Sequence, residues 1–448
     1  MFEYDFKNQE IADVVNNMII YAVSKKASDI HFDPFENGLK VRLRIDGVLQ
    51  DHTIVPTLYQ KNLITRIKLI SNMNITESRL PQDGAIKSII NGIDLDMRVS
   101  SLATNLGEKV VIRILDYTQS TKGLDTLGFT PKNLEKIKRM INVPNGIVLI
   151  TGATGTGKST TVYTMLQELN KEETNIITVE DPIEMNIEGI NQVQVNSEIG
   201  LTFGRVLRSI LRQDPNIILI GEIRDSETAQ IAVRASITGH LVFSTVHTNN
   251  SLSTIERLLD MDVERYLLSS ALTGIVSQKL ARCLCPHCRK ERETTLYEKK
   301  VFKEILHKDV DKIWDTNGSC DNCRNGYTGR IAVQEVLLIN DQIRNAINNA
   351  NITREQLRKL VYTNDVTTLL QDGLEKVLEG ITTFEEIYKI IEIDNELDSK
   401  YDTEEEVENN LISENKEETT DAFQNDNLTT NQEEYPDKTE VLELGSIN

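Results

Sequence analysis

The apolar run GIVLI at 146–150 leads directly into GATGTGKS at 152–159, and the helix-like TTVYTMLQEL follows at once. No other segment narrows the folding options so far. Consecutive apolar residues of this kind suit a strand buried on both faces, and such strands belong to parallel sheets whose helices cover each side. Glycines let successive backbone N–H groups turn toward one point, and the start of the following helix adds its positive end there. In the pattern G-x-x-x-x-G-K-[ST], Gly152, Thr154, Gly155, Thr156 and Gly157 form an anion cradle and Thr160 continues the helix start. Lys158 can span β- and γ-phosphates, and the Ser159 hydroxyl can join a Mg²⁺ shell. The segment predicts an α/β fold that binds a nucleoside phosphate.

Three further apolar runs, at 175–179, 216–220 and 241–246, alternate with helix-length stretches and extend the same sheet. Polar residues at strand ends line the ligand crevice of such sheets. Glu180 ends one run and is placed to orient an attacking water. Glu222 follows Ile218-Leu219-Ile220-Gly221, where an acidic residue can face the magnesium. His240 and His247 bracket the run 241–246, each either a structural imidazole or a γ-phosphate contact.

Upstream, Ile11, Val14, Val15, Met18, Ile19, Ala22 and Val23 recur at helical spacing, and Leu39, Val41, Leu43 and Ile45 alternate with Lys40, Arg42 and Arg44 before Asp46-Gly47. These predict a small α+β domain over 1–122, ahead of the phosphate-binding α/β core over 123–280. Cys285-x-x-Cys288 and Cys320-x-x-Cys323 form two hooks suited to one tetrahedral Zn²⁺, which sets off 281–330 as a structural metal module. Cys283 and His287 lie beside the first hook and read as a buried thiol and a solvated imidazole. Residues 331–393 return to helical spacing, and 394–448 read as a disordered acidic tail. That tail holds 18 acidic against 3 basic residues, so the chain's charge of −20 leaves only −5 for the body. A body so balanced offers no global basic field, and nucleic acid is not an expected partner. The start, MFEYDFKNQE, lacks an export signal, no window is long enough to span a bilayer, and paired C-x-x-C hooks suit a reducing compartment. A cytoplasmic protein is expected.

GATGTGKST, ITVEDPIE, NIILIGEIRD and TGHLVFSTVHTN, in that order, resemble the Walker A, Asp box, Walker B and His box of the type II secretion and type IV pilus assembly ATPases. The resemblance continues upstream through ASDIH at 27–31, VRLRIDG at 41–47, RLPQDG at 79–84 and MRVS at 97–100, and covers roughly 10–393. It implies a RecA-like core and a homo-hexamer that hydrolyses Mg-ATP at subunit boundaries. It also implies arginine fingers from the amino-terminal domain, mapped onto Arg98 and Arg113. The four cysteines, followed by Gly326-Tyr327-Thr328-Gly329-Arg330, resemble the family's tetracysteine insert, which favours assembly over retraction.

The expected partners are an inner-membrane platform protein and, through it, pilin-like subunits, so the protein would sit peripherally at the cytoplasmic face. Ala85 follows PQDG where relatives often carry arginine, and Lys109 replaces another frequent arginine. The chain begins close to ASDIH, which reads as lacking the extra amino-terminal domain of many relatives. Type II secretion or competence pseudopilus service is the alternative within the family. A nucleotide-switched scaffold without turnover is the alternative outside it, disfavoured by Glu180, Glu222, Arg98 and Arg113.

Overall fold

The computed structural model describes residues 3–90, 93–115, 123–362 and 365–391. The acidic tail and the boundary stretch leading to residue 122 lie outside the described residues.

The amino-terminal half follows from its alternation. Helix α1 (Ile11–Ser24) precedes β1 (Ala27–Phe35), β2 (Gly38–Ile45) and β3 (Val48–Val55). Leu39, Val41 and Leu43 of β2 are enclosed, and Asp46 and Gly47 take the positive φ angles that a tight hairpin requires. Helix α2 (Thr57–Ile70) and strands β4 (Gln82–Ile90), β5 (Ile93–Thr104) and β6 (Gly107–Leu115) complete a six-stranded antiparallel sheet, ordered β3-β2-β1-β6-β5-β4. Both helices cover one face. Val14, Val15 and Met18 of α1 and Leu63 and Ile67 of α2 share a core with Ile30, Phe32, Val99 and Ile112.

The opposite face is charged. Buried Asp29 accepts from Arg113 at 3.1 Å on one oxygen and pairs with Arg44 at 3.3 Å on the other. Asp33 pairs with Arg42 at 2.7 Å and also holds Lys109. Desolvating a carboxylate is costly unless cations accompany it, and here each strand-β1 aspartate has two.

Next comes α3 (Pro131–Ile141), opened by Thr130, whose hydroxyl accepts from the Asn133 N–H. Then follow β7 (Gly146–Thr151), α4 (Lys158–Leu169), β8 (Ile176–Glu180), β9 (Asn191–Gln194), α5 (Phe203–Ile210), β10 (Ile217–Ile220), α6 (Ser226–Ile237), β11 (Leu241–Val246), α7 (Ser251–Asp260), α8 (Arg265–Ala271) and β12 (Leu272–Leu284). After β13 (Lys290–Glu293), α9 (Leu296–Leu306) and β14 (Lys312–Asp315), β15 (Tyr327–Leu338) rejoins the main sheet. Helices α10 (Asp341–Asn348), α11 (Arg354–Val361), α12 (Leu369–Leu378) and α13 (Phe384–Ile390) follow.

The seven-stranded sheet runs β15-β12-β7-β11-β10-β8-β9, parallel throughout except where β15 meets β12. Every residue of β7, β8, β10 and β11 is buried, which is why these strands read as unbroken apolar runs. Alternate side chains pack on α3 and α4 on one side and on α5 to α8 on the other. The fold is the RecA-like α/β architecture expected.

Two features depart from the sequence reading. Strand β12 crosses position 280 and β15 begins before 330, so the cysteine module hangs between two strands of the main sheet. Inside it, between the two cysteine hooks, lies α9, whose start is a capping box in which Thr295 and Glu298 satisfy each other's backbone N–H.

His52 makes the amino-terminal half sensitive to pH. The ring stacks on Tyr21 at 4.5 Å and bonds the Tyr4 hydroxyl at 2.8 Å. Burial, reinforced by the Arg324 charge, pushes its pKa down to about 4. Above about pH 6.5 neither folded nor unfolded ring binds a proton, so this contribution is absent. As pH falls from about 6.5 toward 4 the unfolded ring protonates first and stability declines. His52→Phe is expected to show a smaller drop in melting temperature than the parent between about pH 7 and pH 5. Equal drops would show that His52 does not contribute.

Candidate active site

The phosphate loop starts at the end of β7, and its glycines are required individually. A Cβ on Gly152 would lie 2.4 Å from the Gln278 carbonyl oxygen and 2.6 Å from Thr156 Oγ1. Gly155 and Gly157 hold φ of +81° and +85°. Both are left-handed positions that side chains disfavour. Thr154 and Gly155 are exposed, Thr156 and Gly157 are half-buried, and Ser159 and Thr160 sit in the first turn of α4. Thr156 donates to Ala153 O at 2.9 Å and closes the curl.

Lys158 is buried, with Nζ donating to Gly152 O at 2.8 Å and Ala153 O at 3.0 Å. Burial lowers its pKa, and the negative charge of the Glu222 carboxylate opposes that shift. Glu222 sits on the segment after β10, which is tied to both neighbouring strand ends. Gly221 N donates to Val179 O at 2.8 Å, and Ile223 N donates to Thr245 O at 3.0 Å. One Glu222 oxygen meets Arg224 at 2.5 Å and the other meets His247 Nε2 at 3.4 Å. His247 follows the last residue of β11, and its segment is fixed by Thr151, whose hydroxyl donates to Thr248 O at 2.7 Å. Burial and the Lys158 charge push the imidazole pKa down, while Glu222 opposes them.

Glu180 ends β8 in full burial. Its Oε1 accepts from Thr178 at 2.6 Å and Gln192 at 3.1 Å, and Oε2 accepts from Tyr163. Burial and the adjacent carboxylate push the Tyr163 phenol far up, so it stays a donor. Both oxygens are thereby anchored. Tyr163, Thr178, Gln192 and Arg224 were not among the residues singled out from sequence. Arg224 stands in the quoted NIILIGEIRD, but the Tyr163 contact crosses from a helix to a strand and leaves no local pattern.

His240 does not join this group. It stands at the opposite end of β11, seven residues and roughly 23 Å of strand from His247 at ~3.3 Å per residue. Its Nδ1 bonds Ala235 O at 2.9 Å, and its carbonyl accepts from Gly146 N, where β7 begins rather than where the loop departs. The sequence pairing of the two histidines is therefore corrected: the strand that separates them is too long for a shared site.

Arg98 and Arg113 are brought together as cross-strand partners on β5 and β6. Arg98 Nη2 donates to Ile183 O at 2.7 Å, on the loop that leaves Glu180. Burial raises the Glu184 pKa there, opposed by Arg113 and Arg98. Both arginines thus face the loop after β8.

The four hook cysteines also converge. Cys285 and Cys320 sulfurs lie 3.7 Å apart, Cys288 and Cys323 3.5 Å, and all four donors fall within 4.8 Å of one another. A tetrahedral zinc at about 2.3 Å from each sulfur needs S···S separations of about 3.8 Å, so the donor set fits. Cys283 and His287 are outside the cluster. Among the described residues no helix is long and apolar enough to cross a membrane.

The RecA-like sheet and its phosphate loop define the class as a P-loop ATPase. The family model described as type II/IV secretion system protein matches residues 5–389, and the chain belongs to that family. It is 44% identical over 385 residues to the type II secretion system protein E of Klebsiella pneumoniae, covering 85% of this chain and 76% of that protein. It is 42% identical over 384 residues to the type IV pilus assembly ATPase PilB of Acinetobacter baylyi, covering 85% and 66%. Among solved structures, the pilus retraction motor PilT with bound ADP aligns at TM-score 0.58 and 26% identity over 86% of this chain and 97% of that one. The Legionella pneumophila ATPase DotB shares the fold at TM-score 0.66 and 22% identity, covering 86% and 97%.

Because Glu222 is the carboxylate that opposes the depression of the His247 pKa, Glu222→Gln should lower that pKa further. A pH titration of the labelled histidine ring resonance checks this, and an upward or absent shift would contradict the pairing.

Proposed function

We propose that this chain is a hexameric Mg-ATP-hydrolysing motor that powers assembly of type IV pilus or pseudopilus subunits from the cytoplasmic face of the membrane. The observation that carries the reading is the convergence of Lys158, Glu222 and His247 at the ends of β7, β10 and β11, in a chain this similar to secretion and pilus assembly ATPases. The loop N–H groups and Lys158 hold the phosphates. Ser159 and Glu222 would hold Mg²⁺, which would supply charge neutralisation on the phosphate oxygens. Glu180, anchored by three donors, orients the attacking water, and His247 senses the γ-phosphate. Arg98 and Arg113 act as fingers completing a site shared between subunits, a contribution worth roughly 10³–10⁵ in rate. An inner-membrane platform protein carries the motion to pilin-like subunits, with no nucleic acid involved. Zn²⁺ on the four cysteines is structural, since all four positions are filled by protein sulfur.

Service to a type II secretion pseudopilus is the second reading. It is supported by the 44% identity to the Klebsiella pneumoniae type II secretion system protein E, of which the chain covers 76%, against 66% of PilB.

Hydrolysis per subunit should rise and then saturate as protein concentration increases through the micromolar range. A rate that is flat while the oligomer demonstrably dissociates would exclude shared sites. Arg98→Ala should lower kcat by about a thousandfold with little change in nucleotide affinity, and normal turnover would remove it from the mechanism. Metal analysis should return one zinc per chain, lost in Cys320→Ser together with several degrees of melting temperature. Loss of zinc without loss of stability would refute the structural role.

A further inference from the structure

Strands β12 and β15 leave and re-enter the ATPase sheet on either side of the tetracysteine cluster, and their register sets Gln278 opposite Gln334. Gln278 is 2% exposed, and both ends of its amide are in use. Nε2 donates to the Thr156 carbonyl of the phosphate loop at 2.6 Å. Oε1 accepts from the Thr161 hydroxyl, in the first turn of α4, at 2.8 Å and from Gln334 Nε2 at 3.3 Å. The Gln278 backbone carbonyl lies where a Cβ on Gly152 would go, and its Nε2 stands 2.8 Å from the corresponding position on Gly157. One side chain and its own carbonyl therefore touch the start of the loop, its end and the helix behind it.

The orientation of that amide is fixed by the Thr156 carbonyl, which can only accept, while Gln334 is held through its backbone. Gln334 N donates to Asp372 Oδ2 at 2.8 Å, and Asp372 forms a buried ion pair with Lys376 of α12. Turning the Gln278 amide over would oppose Oε1 to the Thr156 carbonyl and Nε2 to the Gln334 donor.

We propose that Gln278 is a positioning residue for the phosphate loop. It holds the curl between Gly152 and Gly157 in its phosphate-binding shape through Thr156 and Thr161, without contacting nucleotide itself. The loop's affinity for phosphates then depends on the register in which β12 pairs with β15. A loop already curled loses less conformational freedom when the phosphates arrive, so the contribution appears in binding.

The test uses the full chain with Mg-ATP and Mg-ADP. Gln278→Glu keeps the shape and the acceptor for Thr161 but removes the donor to Thr156 O. It should raise KM for Mg-ATP and Kd for Mg-ADP about tenfold, with kcat at saturation reduced less than about threefold. Zinc content should stay at the parent value. A role in folding alone would instead lower the melting temperature and the active fraction, so that kcat falls while KM stays fixed, and that result would overturn the proposal. Thr161→Val removes only the hydroxyl facing Oε1. It carries the test if Gln278→Glu does not fold, with an expected rise of about threefold in both constants. A folded variant of either kind with KM and Kd unchanged would also overturn it.

Discussion

Strand β7 is hydrogen-bonded on both edges, to β11 and β12, and all six of its residues are buried. That burial organises the rest of the catalytic half. A strand with no solvent-facing side can carry no polar chemistry along its length, so reactive groups are confined to where strands end. Lys158, Glu180, Glu222 and His247 are all found there, one group from each of four adjacent parallel strands or the turns that leave them. The same constraint excludes His240, which borders β11 at its other end. Burial also gives the cluster its electrostatic character. Lys158 and His247 both have their charged forms disfavoured, and Glu222 offsets part of that for each. A negative group between two weakened cations is a setting in which added phosphate charge is met by donors already in place.

The amino-terminal half solves the opposite problem. Its sheet has one apolar face under α1 and α2 and one face crowded with aspartates and arginines. Asp29 is the centre of that face: nearly inaccessible, it is met by Arg44 on one oxygen and Arg113 on the other. Arg113, although exposed, is tethered at Nε by Asp29, and its cross-strand neighbour Arg98 is held by the Ile183 carbonyl. Under the proposed finger role, such ordering in advance reduces the entropy lost when the two side chains engage an anion.

Much of this was legible in the chain. Unbroken apolar runs disclosed β7, β8, β10 and β11 because burial on both faces leaves no alternation, and alternation disclosed β2 because only one face is buried. The phosphate loop was legible because Gly152, Gly155 and Gly157 satisfy backbone geometry that other residues disfavour. What stayed hidden is what long-range packing decides. Tyr163 looks like an interior helix residue until α4 lies over β8 and its hydroxyl reaches Glu180. Gln278 looks like a polar interruption in an apolar strand until the phosphate loop folds beside it. His240 and His247 looked equivalent because each borders the same apolar run, and only strand direction separates them. Helix α9 was missed because its signal is the local pair Thr295 and Glu298 rather than a sustained stripe.

The position of the cysteine cluster follows from the same pairing that holds Gln278. Residues 285–326 form a long excursion between two strands that must find each other in one register, and closing such an excursion costs entropy that grows with its length. Drawing Cys285 and Cys288 onto Cys320 and Cys323 removes most of that freedom at the point where the strands begin to pair. Register matters more here than strand pairing itself. A slip of one residue would turn Gln278 away from the phosphate loop and put Ser277 in its place, since successive side chains point to opposite faces. The bond from the Gln334 backbone N–H to Asp372 at 2.8 Å and the contact of Arg282 with Glu386 at 2.5 Å tie the same two strands to the carboxy-terminal helices. The cluster and these helices thus restrain the sliding of β12 against β15, while β7 holds β12 along its other edge.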